Sequence, residues 1–364
     1  MLLVVSDVDE SFNLRQIVGC LSSVYEVQIV NVGVSDTIKL KEIVTEAPVK
    51  WFFIYQKTFF FTLPSLKKAY FLIRNMQTNS ILISGYKAQF PFILLGRLLG
   101  KKVIFIRHYT DTHHSLLKIH WWLLDVCMNI VCSKVIAVSS ITKSLMISRE
   151  FINANKVTVI NNAVDIYKLI EIRATRQVSK RSKEESLNVL SIARHVKIKG
   201  LKYVLEALKH LESKGINFNY TLLGAKTRYS QKLEKQIAAF PEGRIKLITE
   251  FNHIDRFLLD NDVLVHVPIR STAESFGLVY IEGLVSGIKC LFTQSGVLCD
   301  SQIIPEHFYW KIKYKSAHSI ANALEAIYWE SSSFREKSTD IYGEFSPEAL
   351  RVKYLRFMRT NELN

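Results

Sequence analysis

Short apolar runs rich in Val and Ile alternate with amphipathic stretches along this chain, and the series breaks off and then starts again near residue 187. Residues 2–5, 27–30, 80–83, 102–106, 134–138 and 157–160 read as strands, and helical patterns such as 91–99, closed by Gly100, fall between them. Strands separated by helices imply a parallel sheet, which needs helices on both faces. In the second series the strands fall at 187–192, 218–223, 245–248 and 263–267, with helices at 201–213, 230–239 and from Phe276. A chain of 364 residues suits two such domains. Residues 1–168 form the first and 187–344 the second. Residues 169–186, with Arg173, Arg176, Lys180, Arg181 and Lys183 and no apolar period, read as a basic linker. A last helix, 345–364, has Ser346 as its N-cap and Pro347 at its first position, and is expected to pack back on the N-terminal domain.

The apolar start of the chain is followed at once by Asp7, Asp9 and Glu10, the pattern of a first strand and not of a signal peptide. No apolar run approaches the roughly 18 to 20 residues of a spanning helix, so a cytoplasmic protein, soluble or peripheral at the inner face of the membrane, is expected. Five scattered cysteines without a C-x-x-C pair read as buried thiols of a reducing compartment. A net charge of +15 attracts polyanions. The cations are spread over both domains and the linker, which argues against a nucleic-acid-binding stripe.

Two clusters carry chemistry. In Val263-Leu-Val-His-Val-Pro-Ile-Arg-Ser-Thr-Ala-Glu274-Ser-Phe276-Gly277-Leu278-Val-Tyr-Ile-Glu282, a buried strand runs through a polar loop into a helix. The free N–H groups and partial positive charge of that helix start suit a phosphate, and Gly277 lets the backbone approach it. A carboxylate at Glu274 or Glu282 accepts two hydroxyl hydrogen bonds at once, as a sugar diol requires. In Leu190-Ser-Ile-Ala-Arg194-His-Val-Lys-Ile-Lys199-Gly200, two cations stand at a strand end, where open α/β sheets bind ligands. They would neutralise a diphosphate as its charge develops.

Together these clusters resemble the retaining GT-B glycosyltransferases of glycosyltransferase family four, whose C-terminal domain carries G-R-x4-K-G and E-x-F-G-x4-E elements. Here they read Ala193-Arg194-x4-Lys199-Gly200 and Glu274-Ser-Phe276-Gly277-x4-Glu282, and residues 157–165 are similar to the family's V-I-P-N-G-V-D. The resemblance implies two doubly wound Rossmann-like domains facing a central cleft, and a glycosyltransferase that moves a sugar from a nucleotide-sugar donor with anomeric retention. It assigns Arg194 and Lys199 to the diphosphate and Glu282 to the ribose. Glu274 falls to the sugar hydroxyls, and the backbone of Phe276, Gly277 and Leu278 to the distal phosphate. A histidine after an N-terminal strand matches His108, with His113 and His114 close behind it. The family works without a metal, so no metal and no cofactor are expected, despite the D-x-D of Asp7-Val-Asp9.

Departures are the first loop, Ser6-Asp-Val-Asp9-Glu10, which lacks the family's paired glycines, and Ser295-Gly296 in place of Gly-Gly. By the family's division of labour the N-terminal domain takes the acceptor. Its stretch from Phe59 to Arg74 mixes aromatics with Lys67, Lys68 and Arg74, which suits an anionic membrane surface. The expected acceptor is a saccharide, lipid-linked, in bacterial surface polysaccharide synthesis. The competing readings are a nucleotide-sugar isomerase of the same architecture and a catalytically silent GT-B-like partner.

Overall fold

A computed structural model describes residues 1–7, 12–33, 49–56, 61–110, 119–176, 186–250, 253–329 and 343–362. The chain divides into two compact units, Met1–Val164 with Phe345–Asn364, and Asp165–Glu344.

In the first unit seven strands, β1 (Leu2–Ser6), β2 (Val27–Gly33), β3 (Lys50–Tyr55), β4 (Ser80–Ser84), β5 (Lys102–Arg107), β6 (Lys134–Ala137) and β7 (Val157–Val159), form one sheet. Their order is β3-β2-β1-β4-β5-β6-β7 and every pairing is parallel. β1 and β4 are buried along their whole length, which is why they read as unbroken apolar runs. The second unit holds β8 (Leu187–Ile192), β9 (Phe218–Leu223), β10 (Ile245–Ile248), β11 (Val263–His266), β12 (Lys289–Phe292) and β13 (Trp310–Lys311), in the parallel order β10-β9-β8-β11-β12-β13. In each sheet the order reverses once, between β1 and β4 and between β8 and β11. At such a reversal the neighbouring crossovers leave to opposite faces and open a crevice at the carboxyl edge. Helix Leu201–Ser213 shows why the helices form: Leu201, Val204, Leu205, Leu208 and Leu211 recur at helical spacing and all are buried against β8 and β9.

Three strands, β3, β12 and β13, escape the sequence pattern. β3 is an aromatic run at the sheet edge and β13 is two residues long. The basic segment expected to be a linker from residue 169 is helical from Ile166 to Thr175. Asp165 accepts from the Lys168 N–H, and Ile166, Leu169 and Ile172 are buried. That helix packs on Leu278–Ser286, so the units divide at Val164 and not at residue 168; residues 177–185 lie outside the described ones. Pro91, expected to open a helix, lies inside Tyr86–Leu98, where burial of Ala88, Phe92 and Ile93 offsets its lost hydrogen bond. The terminal helix, Pro347–Glu362, belongs to the first unit. Ser346 Oγ accepts from the Ala349 N–H at 3.0 Å, and Leu350, Tyr354, Phe357 and Met358 are buried. Among the described residues no helix is long and apolar enough to cross a membrane.

Candidate active site

The most organised polar group of the second unit sits where β8 and β11 part. From the end of β8 a loop carries Lys199 in a single 3-10 turn, Lys197–Lys199, closed by Gly200 at φ 73°. A Cβ on Gly200 would lie 2.0 Å from the Val267 carbonyl oxygen, so only glycine lets this loop press against the end of β11. The close approach brings Lys199 to Glu274. Its Nζ donates to Glu274 Oε1, and His266 Nε2, from the last residue of β11, donates to the same oxygen at 2.7 Å. The Glu274 N–H donates to Ser295 Oγ at 3.0 Å, and the Ser295 hydroxyl donates to the Ser271 carbonyl at 2.9 Å. The side chain is thus held by the β8 loop and β11, and the backbone by the loop after β12. Oε2 takes no bond from any described residue, and the side chain is only 12% accessible.

Burial works against ionisation of Glu274, but the hydrogen bond from His266 and the charge of Lys199 outweigh it and hold the carboxyl down to about 2. Burial also lowers the pKa of His266, more than Glu274 raises it. At neutral pH the cluster is therefore a carboxylate, an ammonium and a neutral imidazole that donates from Nε2. The ring of His266 stands edge-on to Tyr280 at 5.0 Å, which fixes its plane.

Gly277, at φ 84°, turns the chain into helix Leu278–Ser286, and no side chain caps that helix start. Its first amides are free to meet an anion. Phe276 is buried, so it offers backbone alone, and its carbonyl accepts from Val297 N–H at 2.9 Å. Gly296 makes that contact possible, since a Cβ there would lie 2.3 Å from the Phe276 oxygen. Inside the helix, Glu282 is half-buried and makes no hydrogen bond among the described residues. Burial, with the nearby charge of Asp255, pushes its carboxyl up to about 7. Arg194 stands exposed just beyond β8 and contacts neither Lys199 nor Glu274.

His108 belongs to the first unit, just beyond β5. Its Nε2 lies 3.1 Å from Ser84 Oγ, and burial lowers its pKa to about 4, so it is neutral. Beside it Arg107 is buried with Glu150 at 2.5 Å and Asp125 at 3.4 Å, and it donates to the Tyr109 carbonyl, which pins the chain on either side of His108. A Cβ on Gly85, just beyond β4, would overlap the Asp7 carboxylate, so only glycine lets Asp7 pack there. Asp9, Glu10, His113 and His114 lie outside the described residues, as do Phe59 and Phe60. Lys67, Lys68 and Arg74 are exposed on helix Leu63–Asn75 beside the exposed Leu63 and Phe71, while Ser65, Ala69 and Ile73 face inward. Among the described residues no three His, Cys, Asp or Glu side chains gather as metal ligands.

Sequence reasoning passed over His266 and the bonding role of Ser295. One signal was present: a histidine ending an apolar strand, eight residues before Glu274.

The family described as Glycosyl transferases group 1 matches residues 173–340, and that described as Glycosyltransferase Family 4 matches residues 14–168. No curated protein matches the chain in sequence. Among solved structures, Anabaena HepE in complex with UDP-glucose is 15% identical, with 99% of each chain covered and a TM-score of 0.74. A UDP-forming trehalose-phosphate synthase from Burkholderia vietnamiensis is 13% identical over 99% of this chain and all of its own (100%), with a TM-score of 0.75. The apo lipopolysaccharide outer core galactosyltransferase WaaB is 13% identical over 99% of each chain, with a TM-score of 0.65.

Proposed function

We propose that this chain, whose halves match the Glycosyl transferases group 1 and Glycosyltransferase Family 4 models and whose fold is that of GT-B glycosyltransferases, moves a sugar from a nucleotide-sugar donor to a lipid-linked saccharide with retention of anomeric configuration. The observation that carries the reading is Glu274, ionised and held by Lys199 and His266 with Oε2 left open, one turn before an uncapped helix start. A group so fixed is suited to hold the hydroxyls of a transferring sugar, while the amides of Gly277 and Leu278 meet the distal phosphate. Lys199 and Arg194 take up the negative charge that grows on the diphosphate as the anomeric C–O bond breaks. Glu282, ionised, accepts the ribose diol. The acceptor hydroxyl attacks the anomeric carbon on the face the phosphate leaves, and its proton passes to the departing phosphate oxygen. That exchange balances without a protein base, which agrees with the low pKa of Glu274, a carboxylate too weakly basic to take the proton, and with the engagement of His266 Nε2 on Glu274. In the other unit His108, neutral and held by Ser84, serves as a hydrogen-bond partner for the acceptor.

The place of action is the cytoplasmic face of a bacterial membrane, in the synthesis of a surface polysaccharide. The galactosyltransferase WaaB, of the same fold, supports an acceptor of that kind, and the exposed basic face of Leu63–Asn75 supports the membrane. UDP-sugars are the first donors to try, since HepE was solved with UDP-glucose. The test is a screen of UDP-, GDP-, ADP- and CMP-sugars for hydrolysis, then transfer to lipid extracts, with the product anomer read by NMR. Donor turnover and a retained anomer on a lipid-linked glycan are expected. An inverted product sinks the mechanism, and efficient transfer only to soluble acceptors sinks the lipid-linked acceptor.

A further inference from the structure

At the amino edge of the first sheet, opposite the carboxyl edge that carries Ser84 and His108, strands β4, β5 and β6 begin with Ser80, Lys102 and Lys134. With the last turns of the terminal helix Pro347–Glu362 they enclose a pocket of about 240 Å³. Three cations line it, Arg97, Lys102 and Lys134, and no carboxylate does. Each head group is held by a backbone carbonyl: Lys102 Nζ by Asn361 at 3.0 Å, Lys134 Nζ by Asn155 at 3.1 Å, and Arg97 by Lys101 at 3.2 Å. A single tether leaves each ammonium and the guanidinium with further donors to give. None of the three is ion-paired among the described residues. Ser80 is only 7% exposed, yet its hydroxyl makes no bond among the described residues although it lines the same pocket. Ile104 and Met358 supply an apolar floor.

Like charges brought together at a recess repel, and the repulsion grows where water is displaced. One kind of ligand removes that cost: an anion with several acceptor oxygens, placed where the three cations line the pocket and the Ser80 hydroxyl can donate to it. The volume lies below the usual range of about 300 to 1,000 Å³ for drug-sized pockets, so the ligand is small. We propose that this pocket binds a phosphate-class anion, namely inorganic phosphate, pyrophosphate or a small phosphate monoester, and that the bound anion fastens the end of the terminal helix to the sheet. The lysine tethered to Asn361 makes that link, because an anion on Lys102 touches the helix and β5 together.

The test uses the full chain and calorimetric titration with inorganic phosphate and pyrophosphate at fixed ionic strength, with chloride as the blank. Binding is expected in the unmutated protein, and a binding component that survives Lys199→Ala reports this pocket apart from the proposed donor site, where that substitution removes a cation. Loss of about tenfold or more in affinity is expected in Lys102→Gln/Lys134→Gln. The same loss is expected in Arg97→Gln, an exposed position where folding is not at issue. Thermal unfolding in phosphate against chloride gives a second reading, with a rise in Tm in the unmutated chain and none in the double variant. Phosphatidylcholine vesicles with and without phosphatidic acid distinguish a lipid headgroup from a free anion as the source. No binding of phosphate or pyrophosphate at millimolar concentration and none to phosphatidic acid overturns the proposal. So does equal binding by the double variant, or loss of all binding with Lys199→Ala alone.

Discussion

Lys199 and Glu274 form a buried ion pair across the reversal of strand order between β8 and β11, and His266 donates to the same carboxylate oxygen. The pair lies where a diphosphate is proposed to bind, so a bound anion competes with Glu274 for the ammonium. Lys199→Ala is expected to weaken nucleoside diphosphate binding by about 1.5 to 3 kcal/mol, the worth of a hydrogen bond to a charged group. Glu274→Gln is expected to do the reverse: binding of the diphosphate holds or tightens, while sugar transfer falls. Calorimetry beside a turnover assay checks the split. A Lys199→Ala chain that binds every nucleoside diphosphate as the unmutated protein does would mean the site is misplaced.

Glu274 also sets an acid limit. Its folded-state carboxyl titrates at about 2 against an ordinary 4.5, so its contribution to stability is complete above 4.5 and disappears as the pH falls towards 2. The contribution is on the order of 3 kcal/mol. Urea unfolding of Glu274→Gln and the unmutated chain is expected to show a gap at pH 7 that narrows steadily below pH 4.5. A gap that is the same at pH 3 would remove the electrostatic explanation.

Glu282 has the opposite sign. Its folded carboxyl titrates at about 7, above the ordinary 4.5, so the folded state holds a proton that the unfolded state has lost. Stability is therefore lost as pH rises from 4.5 through 7. Glu282→Gln is expected to be more stable than the unmutated protein at pH 8, by up to about 3 kcal/mol, and equal to it near pH 4. Since a carboxylate accepts the ribose diol better than a carboxylic acid, nucleotide affinity of the unmutated chain should rise between pH 6 and 8, and that rise should vanish in the variant. Calorimetry across that interval decides.

The doubly wound plan was legible in the alternation of strands and helices, and so were Glu274, Gly277 and Glu282, because all lie within one strand-loop-helix segment. What sequence did not disclose is non-local. That Lys199 would be buried against Glu274 while Arg194 stays exposed depends on Gly200 pressing on Val267, contacts made by residues far apart in the chain. Ser295 and His266 lie on different strand ends and meet only through Glu274. The helix Ile166–Thr175 was masked by its basic outer face, although Ile166, Leu169 and Ile172 carry its buried stripe. β13 is too short for any periodicity to show.

Gly277 is a sharper test of the helix start. It sits at φ 84°, and a methyl there would lie 2.5 Å from Tyr280 Cδ2. Gly277→Ala is expected to cost about 1 to 3 kcal/mol of stability, as other residues forced into such backbone do. Because Tyr280 backs the ring of His266, the displaced helix start should also weaken diphosphate binding. Chemical denaturation with parallel calorimetry reads both. A variant as stable and as tight-binding as the unmutated protein would show that the close approach is dispensable.

Membrane contact is expected through the outer face of Leu63–Asn75. Leu63 and Phe71 are 67% and 55% exposed there, and Lys67, Lys68 and Arg74 flank them, with the Arg74 guanidinium bonded to the Tyr70 hydroxyl at 3.2 Å. Exposed apolar side chains bordered by cations suit an interface in which the rings enter the headgroup region and the charges meet anionic lipid. Each cation near such a surface contributes about 1 kcal/mol, so the three together contribute about 3 kcal/mol, or roughly a hundredfold in affinity. Changing Lys67, Lys68 and Arg74 together to glutamine is therefore expected to release the protein from anionic vesicles in a sedimentation assay. Raising the salt should do the same to the unmutated chain, because a shorter Debye length screens surface charge. Phe71→Ala, which removes apolar contact and no charge, should weaken binding while leaving its salt dependence intact. Vesicle binding that survives the triple substitution at low salt would place the contact elsewhere on the protein.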